Sequence, residues 1–357
     1  MIERACVRSV ERYLLCKNGV KMPDLIEKNL QASAWMKAAL AAHAGDIAFG
    51  RLASSVIWSN ATDANEVLLV PLDPKQLAAE INANPFPLLL GHDPGRPLGK
   101  MVAAEVFENP TGEVFVAAVL GFYENDPRLG FSDLGLDPAA KVSSPETLPS
   151  LPSELRFGLA ADPREVELAS LNELAGEAPI PVDVQERSNN AAEASTTFVT
   201  VSMLLMALVW NPFVTTFANE ASKDAYAAVK NWLKKLTARF AERRNSLVEV
   251  QSFHGSCCIS FMFRGDDVAR QYKAHEGLAE AAARAAHLVG QMQAARLAPV
   301  RLVYEFHASD DLWYPSFAEL SDGRLVSDDA TLIAVEKLPH GLSLGINRAS
   351  LPEPNDL

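Results

Sequence analysis

Between Glu193 and Glu220 the chain carries 26 consecutive residues without a charge, and this run limits what it can fold into more than any other feature. A bilayer core takes about 20 predominantly apolar residues as a helix, so the length suffices for one span. Its quality is mixed: five threonines with Ser202, Asn211 and Pro212 dilute it, and the dense part, Phe198 to Trp210, is 13 residues long. Two readings stay open, a membrane segment and a buried core helix. In both, Phe198, Leu204, Leu205, Leu208, Trp210, Pro212 and Phe217 mark the segment. Leaving such large apolar side chains in water forgoes about 1.5–3 kcal/mol each.

The next stretch favours the membrane reading. Tyr226, Val229, Leu233, Leu236 and Phe240 follow at intervals of 3, 4, 3 and 4, the seam spacing of associating helices. Glu220 to Arg244 holds seven basic residues against three acidic ones. Positive charge close behind an apolar segment marks the cytoplasmic side of a span. Residues 196–244 are therefore expected to form a transmembrane and oligomerisation helix, and the chain a homo-oligomer.

Charge is unevenly placed. Residues 1–195 carry 16 Lys and Arg against 27 Asp and Glu, and the remainder is nearly balanced at 16 against 18. Nucleic acid is an unsuitable partner for that acidic half, since phosphate binding needs Lys and Arg. The cysteines Cys6, Cys16, Cys257 and Cys258 form no C-x-x-C pair. The last two are neighbours on an expected strand and point to opposite faces, so reduced thiols are expected. Charges interrupt every apolar run of "MIERACVRSVERYLLCKNG", which argues against a signal peptide and for a start in the cytosol.

The fold class expected is α+β. Residues 1–44 read as a helical segment, with Leu25, Leu30, Trp35 and Leu40 in one helix over 22–42. Residues 45–167 read as a β-rich domain. Its extended runs are "DIAFGRLASSVIW", "NEVLLVPL", "PFPLLLGH", "LGKMVAAEVFE" and "GEVFVAAVLGFYE", with a helix "DPKQLAAEIN" capped by Asp73 and a turn at Asn109 to Gly112. Residues 168–195 lose periodicity and read as a linker. Residues 245–357 read as a small α+β domain: a hairpin turning near His254, Gly255 and Ser256, a long Ala-rich helix with Asp266 as cap, and further strands. One long helix packed on an antiparallel sheet is the arrangement expected there.

Chemical motifs are scarce. The sequence has no phosphate loop, dinucleotide fingerprint, H-E-x-x-H or G-x-S-x-G elbow, and neither cofactor nor metal is expected. His275 and His287 lie 12 apart, which is not the i, i+4 spacing of a shared metal, and both read as surface histidines. His254 and Cys257 face each other across the expected hairpin as a candidate base and nucleophile, with no third group to orient the imidazole.

His92 is the better candidate. The succession "GDIAFGRLASSVIW", "DPKQLAAEIN" and "PLLLGHDPGRPLGKMVAAEVFENPTGEVFVAAVL" resembles the prohead (head-maturation) serine proteases of tailed phages, relatives of the herpesvirus assemblins. The resemblance covers about residues 45–167. It implies that His92 stands where the family's base would be. The family's nucleophile belongs to a motif S-x-x-S-x-G-F, and the matching stretch here is "SELRFGLAADPREVE", residues 153–167. Ser153, Gly158 and Leu159 keep the frame, but Arg156 occupies the nucleophile position. A guanidinium stays protonated and cannot attack a carbonyl. Unless Ser153, Ser143 or Ser144 takes over, the domain is a pseudoenzyme.

Three functions follow as expectations. The one placed first is a membrane-associated oligomeric effector, a pore or ion channel in bacterial anti-phage defence, at the bacterial inner membrane with cytoplasmic domains or cytoplasmic before activation. The alternatives are an active phage-type serine endopeptidase and a soluble non-catalytic binding protein.

Overall fold

A computed structural model describes residues 23–62, 65–70, 72–89, 93–123, 129–140, 142, 156–163, 165–186, 198–203, 220–241, 246–307 and 309–328. The fold is mixed α+β, and the described residues divide into two compact units, one within 1–126 and one within 127–342.

The first unit is a four-stranded antiparallel sheet with helices on both faces. α1 (Pro23–Lys28) and α2 (Leu30–His43) precede β1 (Arg51–Ser59), α3 (Pro74–Ala83), β2 (Phe86–Leu89), β3 (Pro97–Glu108) and β4 (Val114–Phe122), and the strand order is β1-β4-β3-β2. β4 explains the architecture. Its sequence is apolar at every position, and all of it after Val114 is buried. A strand can bury both faces only when both are covered. Phe115, Ala117 and Val119 meet α1 and α2, while Val116, Ala118 and Leu120 meet α3. On β1, Val56 and Trp58 lie in opposite clusters although two residues apart, because a bulge between them shifts the register.

The helices are set by specific polar bonds. The single helix expected over 22–42 is broken at Asn29, whose backbone is extended. The Asn29 Oδ1 accepts from Ala32 N at 3.0 Å, and its Nδ2 donates to Glu108 O at 3.1 Å, so one residue caps α2 and ties it to the end of β3. Asp73 caps α3 as expected, accepting from Lys75 N and Gln76 N. Asn82 then bonds both backbone groups of Ala104 on β3, at 2.8 and 2.9 Å. Gly112, with φ of 82°, makes the β3–β4 turn.

The second unit is built on an eight-stranded sheet of order β12-β11-β10-β9-β8-β7-β5-β6. Its elements are β5 (Phe157–Ala161), α4 (Leu168–Gly176), β6 (Val182–Glu186), β7 (Phe198–Met203), α5 (Glu220–Ala241), β8 (Leu247–His254), β9 (Cys257–Arg264), α6 (Val268–Ala294), β10 (Pro299–His307), β11 (Leu312–Leu320) and β12 (Leu325–Val326). Wherever a helix lies between two strands they pair in parallel: β5 with β6, β7 with β8, β9 with β10. The directly joined β8–β9 and β10–β11 pair antiparallel. α4, α5 and α6 share one core with the sheet face of Phe157, Leu159, Val250, Phe261 and Leu302. Trp313 sits in the middle of its aromatic part, with ring centroids 5.1–5.6 Å from Phe263, Phe261 and Phe306, and its indole donates to Ala274 O at 2.7 Å.

Four expectations are corrected by this architecture. The described part of 168–195 is a helix and an edge strand of the sheet, not a linker. Strands β8 to β12 continue the sheet of β5 to β7, so they form no separate domain, and the sheet is mixed because α6 reverses the chain between β9 and β10. Among the described residues the run "NEVLLVPL" contributes an isolated bridge, Thr62 to Leu68, and no strand. The cap of α6 is Asp267, which accepts from Ala269 N and Arg270 N, and not its neighbour Asp266.

Candidate functional site

The protease-like elements fall in two different units. β2 ends at Leu89, and the turn into β3 is held by Asp93, 3% exposed, whose carboxylate accepts from Gly95 N at 2.8 Å. Its carbonyl accepts from Arg96 N at 2.9 Å. Gly99 is required at the start of β3, since a Cβ there would stand 1.9 Å from Gly121 O. Asp93 to Arg96 thus form a turn leading into β3, and Pro97 to Gly99 already pair with β2 in the four-stranded sheet. His92 itself lies outside the described residues, as do Ser143, Ser144 and Ser153.

The nucleophile frame belongs to the eight-stranded sheet instead. Arg156 precedes β5 and pairs with Asp183 of β6 at 3.1 Å, both side chains being exposed. Gly158 and Leu159 lie within β5 between β6 and β7. The Arg156 guanidinium thus bridges two adjacent parallel strands at their exposed start.

The membrane argument changes at residue level. Phe198 to Met203, the first part of the apolar run, is the strand β7, paired with β5 on one side and β8 on the other. The β-branched Val199, Thr200 and Val201 and the alternation of apolar with hydroxyl side chains through Met203 suit a strand, which the length argument overrode. Leu204, Leu205, Leu208, Trp210, Pro212 and Phe217 lie outside the described residues. No helix of the described residues is long and apolar enough to cross a membrane.

The seam is likewise accounted for within the chain. Val229, Leu233 and Leu236 are fully buried and Phe240 is 1% exposed, all in the second unit's own core; Tyr226 starts the same face of α5, its side chain outside the described set. Trp232 stacks on Phe157 with centroids 5.4 Å apart and donates to Leu174 O at 2.8 Å. The basic flank is partly matched by α4: Lys235 pairs with Glu177 at 3.5 Å and Arg239 with Glu173 at 2.6 Å. The four described seam residues meet this chain's sheet and helices, so they offer no face to a sister subunit.

The cysteine and histidine candidates are placed as follows. His254 and Cys257 are register partners across the β8–β9 hairpin. Burial, with Cys258 beside it, pushes the Cys257 thiol up to about 12, so it stays protonated and is a poor nucleophile. Cys258 is raised too, by burial and then Glu249, with Arg301 and Ser260 pulling the other way. His287 is exposed, beside Gln291 at 3.1 Å. His275 is 2% exposed, against the surface position expected, and burial pushes it down to about 4. Among the described residues no group of three or more His, Cys, Asp or Glu is placed to hold a metal.

Two features escaped the sequence reading. On the sheet face away from the helices, Arg301 of β10 reaches Glu249 of β8 at 3.1 Å, and Arg264 of β9 pairs with Glu305 of β10 at 2.9 Å. Glu249 is fully buried and its Oε2 has no hydrogen-bond partner. The signal was one or two charges set into apolar strands, in "LVEVQ", "FMFRG" and "VRLVYEF". The second feature is the exposed run Val67 to Val70, with Val67 60% and Leu69 50% exposed. It is held rather than loose: the Trp58 indole donates to Val70 O at 2.9 Å, and Leu69 N donates to Ala61 O at 3.0 Å.

No family model, curated protein or solved structure matches the chain.

Proposed function

We propose that this chain is a non-catalytic binding protein in which a protease-like first unit serves recognition. The observation that carries the reading is the state of the nucleophile frame: Arg156, engaged with Asp183, stands at the position that chemistry needs for a hydroxyl, and the following residues run into the sheet. Acyl transfer requires a nucleophile and a base in hydrogen-bond reach, and a guanidinium cannot serve as the first. Exposed contiguous apolar residues mark interaction surfaces, and the tethered Val67 to Val70 run supports binding. The direct test is turnover of unfolded protein substrates. Wild type and His92→Ala should be equally inert, and a rate above background that disappears in His92→Ala would replace this reading with the endopeptidase.

A second reading, the membrane-associated oligomeric effector, keeps one specific support. The uncharged run continues in sequence for 16 residues beyond β7, from Leu204 to Asn219. On that reading expressed protein sediments with membranes, needs detergent for release and depolarises the host, and Leu205→Arg or Leu208→Arg relieves toxicity, since a charge at a helix centre costs about 2.5–3.5 kcal/mol on insertion scales. Recovery in the soluble fraction with unchanged membrane potential would dismiss it.

A further inference from the structure

The outer face of α2 lacks what water asks of a helix. Along its 14 residues Lys37 is the one Lys, Arg, Asp or Glu. Its inner side is spent on the sheet, where Ala32 and Met36 are buried and Trp35, Ala39 and Leu40 pack against the same cluster. Outward, at spacings of 4, 4 and 3, stand Leu30, Ala34, Ala38 and Ala41, all exposed. Leu30 at 86% and Ile47, just past the end of α2, at 76% are the two most exposed large apolar side chains of the described residues. A helix facing water ordinarily carries its charges on that side, as α3 does on the other face of the sheet with Lys75, Gln76 and Glu80 exposed. A helix that is apolar all round has neighbours on both sides.

The sequence supplies a neighbour of matching shape. Residues 1–22 precede α1 and lie outside the described residues. Wound as a helix, Ile2, Cys6, Val10, Tyr13 and Leu14 fall on one side and Arg4, Arg8, Glu11 and Arg12 on the other. The pair Asn18-Gly19 is a helix-stop and turn signal. Residues 2–15 then match α2 in length, about 21 Å at about 1.5 Å per residue. The connection 16–22 reaches up to about 23 Å when extended, enough to lay such a helix back along α2, which follows the short α1 directly.

We infer that residues 2–15 pack as an amphipathic helix along the outer face of α2, over Leu30, Ala34, Ala38 and Ala41. Small side chains there let a second helix approach closely, and Ile2, Val10, Tyr13 and Leu14 provide the bulk that the alanines lack. The occupant is this chain's own segment rather than a second copy of α2. Two such faces together would set alanine against alanine and bury little apolar area, whereas a segment tethered beside its site acts at a roughly millimolar effective concentration. Neither the Arg156 frame nor the Val67 to Val70 run enters this contact, so it holds whether or not the binding reading does.

Hydrogen exchange read by mass spectrometry on the full-length protein tests the contact, with a free peptide of residues 1–22 as the reference for helix propensity alone. In wild type, amides within residues 2–15 should exchange at least about tenfold more slowly than in the peptide. Ala38→Arg sets a charge into the middle of the outer face, and because Ala38 is exposed the unit keeps its fold, read from unchanged protection of β4. In that variant and in Val10→Arg, protection of residues 2–15 should fall to the peptide's level, while Arg8→Ala, on the polar side, should leave it in place. Peptide-like exchange of residues 2–15 in wild type would overturn the contact, as would protection that survives Ala38→Arg. Protection that rises with protein concentration, together with a doubled mass in light scattering, would overturn the intrachain assignment and name a second copy as the occupant.

Discussion

Glu249 and Arg301 show how a buried charge becomes a dependency. With Glu249 fully buried and one of its oxygens without a hydrogen-bond partner, Arg301 is the counter-charge that makes the carboxylate tolerable. Arg301→Met should therefore cost about 3–5 kcal/mol in chemical denaturation, while the double replacement Glu249→Leu with Arg301→Met should cost much less, because it removes both charges. Equal costs would mean that the pair does not act as a unit. His275 makes a pH prediction of definite sign. The unfolded chain takes up a proton at His275 near 6.5, whereas burial holds the folded side chain neutral down to about 4. Stability is then unaffected at neutral pH, falls as pH drops through that window, and levels off below it. The wild type should lose on the order of 3 kcal/mol more than His275→Leu between those limits; parallel pH profiles would contradict this. Some residue-scale detail was legible beforehand, such as the Asp73 cap and the Gly112 turn, because both depend on neighbours a few residues away. Arg301 and Glu249 meet only after three strands align, and no local pattern contains that distance.

Among the elements, α5 carries the main lesson about patterns. Intervals of 3 and 4 between apolar residues describe the stripe a helix presents to a sheet as well as the seam of a coiled coil. The sequence reading took the second meaning, and the packed core took the first. Leu233→Ala and Leu236→Ala should each destabilise the second unit by about 2–5 kcal/mol, with no change of mass in light scattering. A shift from oligomer to monomer at unchanged stability would restore the seam. The segment 168–186 was missed for a related reason. Leu168, Leu171 and Leu174 give only two turns of helix, too short for periodicity to stand out against Ala, Glu and Pro. β6 has five residues, Val182, Val184 and three polar ones, and its place in the sheet comes from pairing with β5.

For the whole molecule, the described residues build two sheets, and the expected linker, the first part of the uncharged run and the expected C-terminal domain share one of them. Unit 1 was largely readable: its turn, its capped helix and the long apolar β4 are local features, and β4 announces helices on both faces. Unit 2 was not, because its strands come from positions 157 to 326 and the uncharged run drew attention to length when its first residues alternate as a strand. On the proposed function, Arg156 belongs to a frame that does no chemistry. Arg156→Ser loses the bridge to Asp183, an exposed pair worth about 0–1 kcal/mol, and should gain no turnover. The most direct measurement of the central claim is fluorophosphonate labelling of the native full-length chain, with the modified serines located by mass spectrometry. A non-catalytic binding protein should show no serine labelled above the level of the denatured chain, in wild type and His92→Ala alike. Stoichiometric labelling of Ser153, Ser143 or Ser144 that is lost in His92→Ala would contradict the account and identify a working protease.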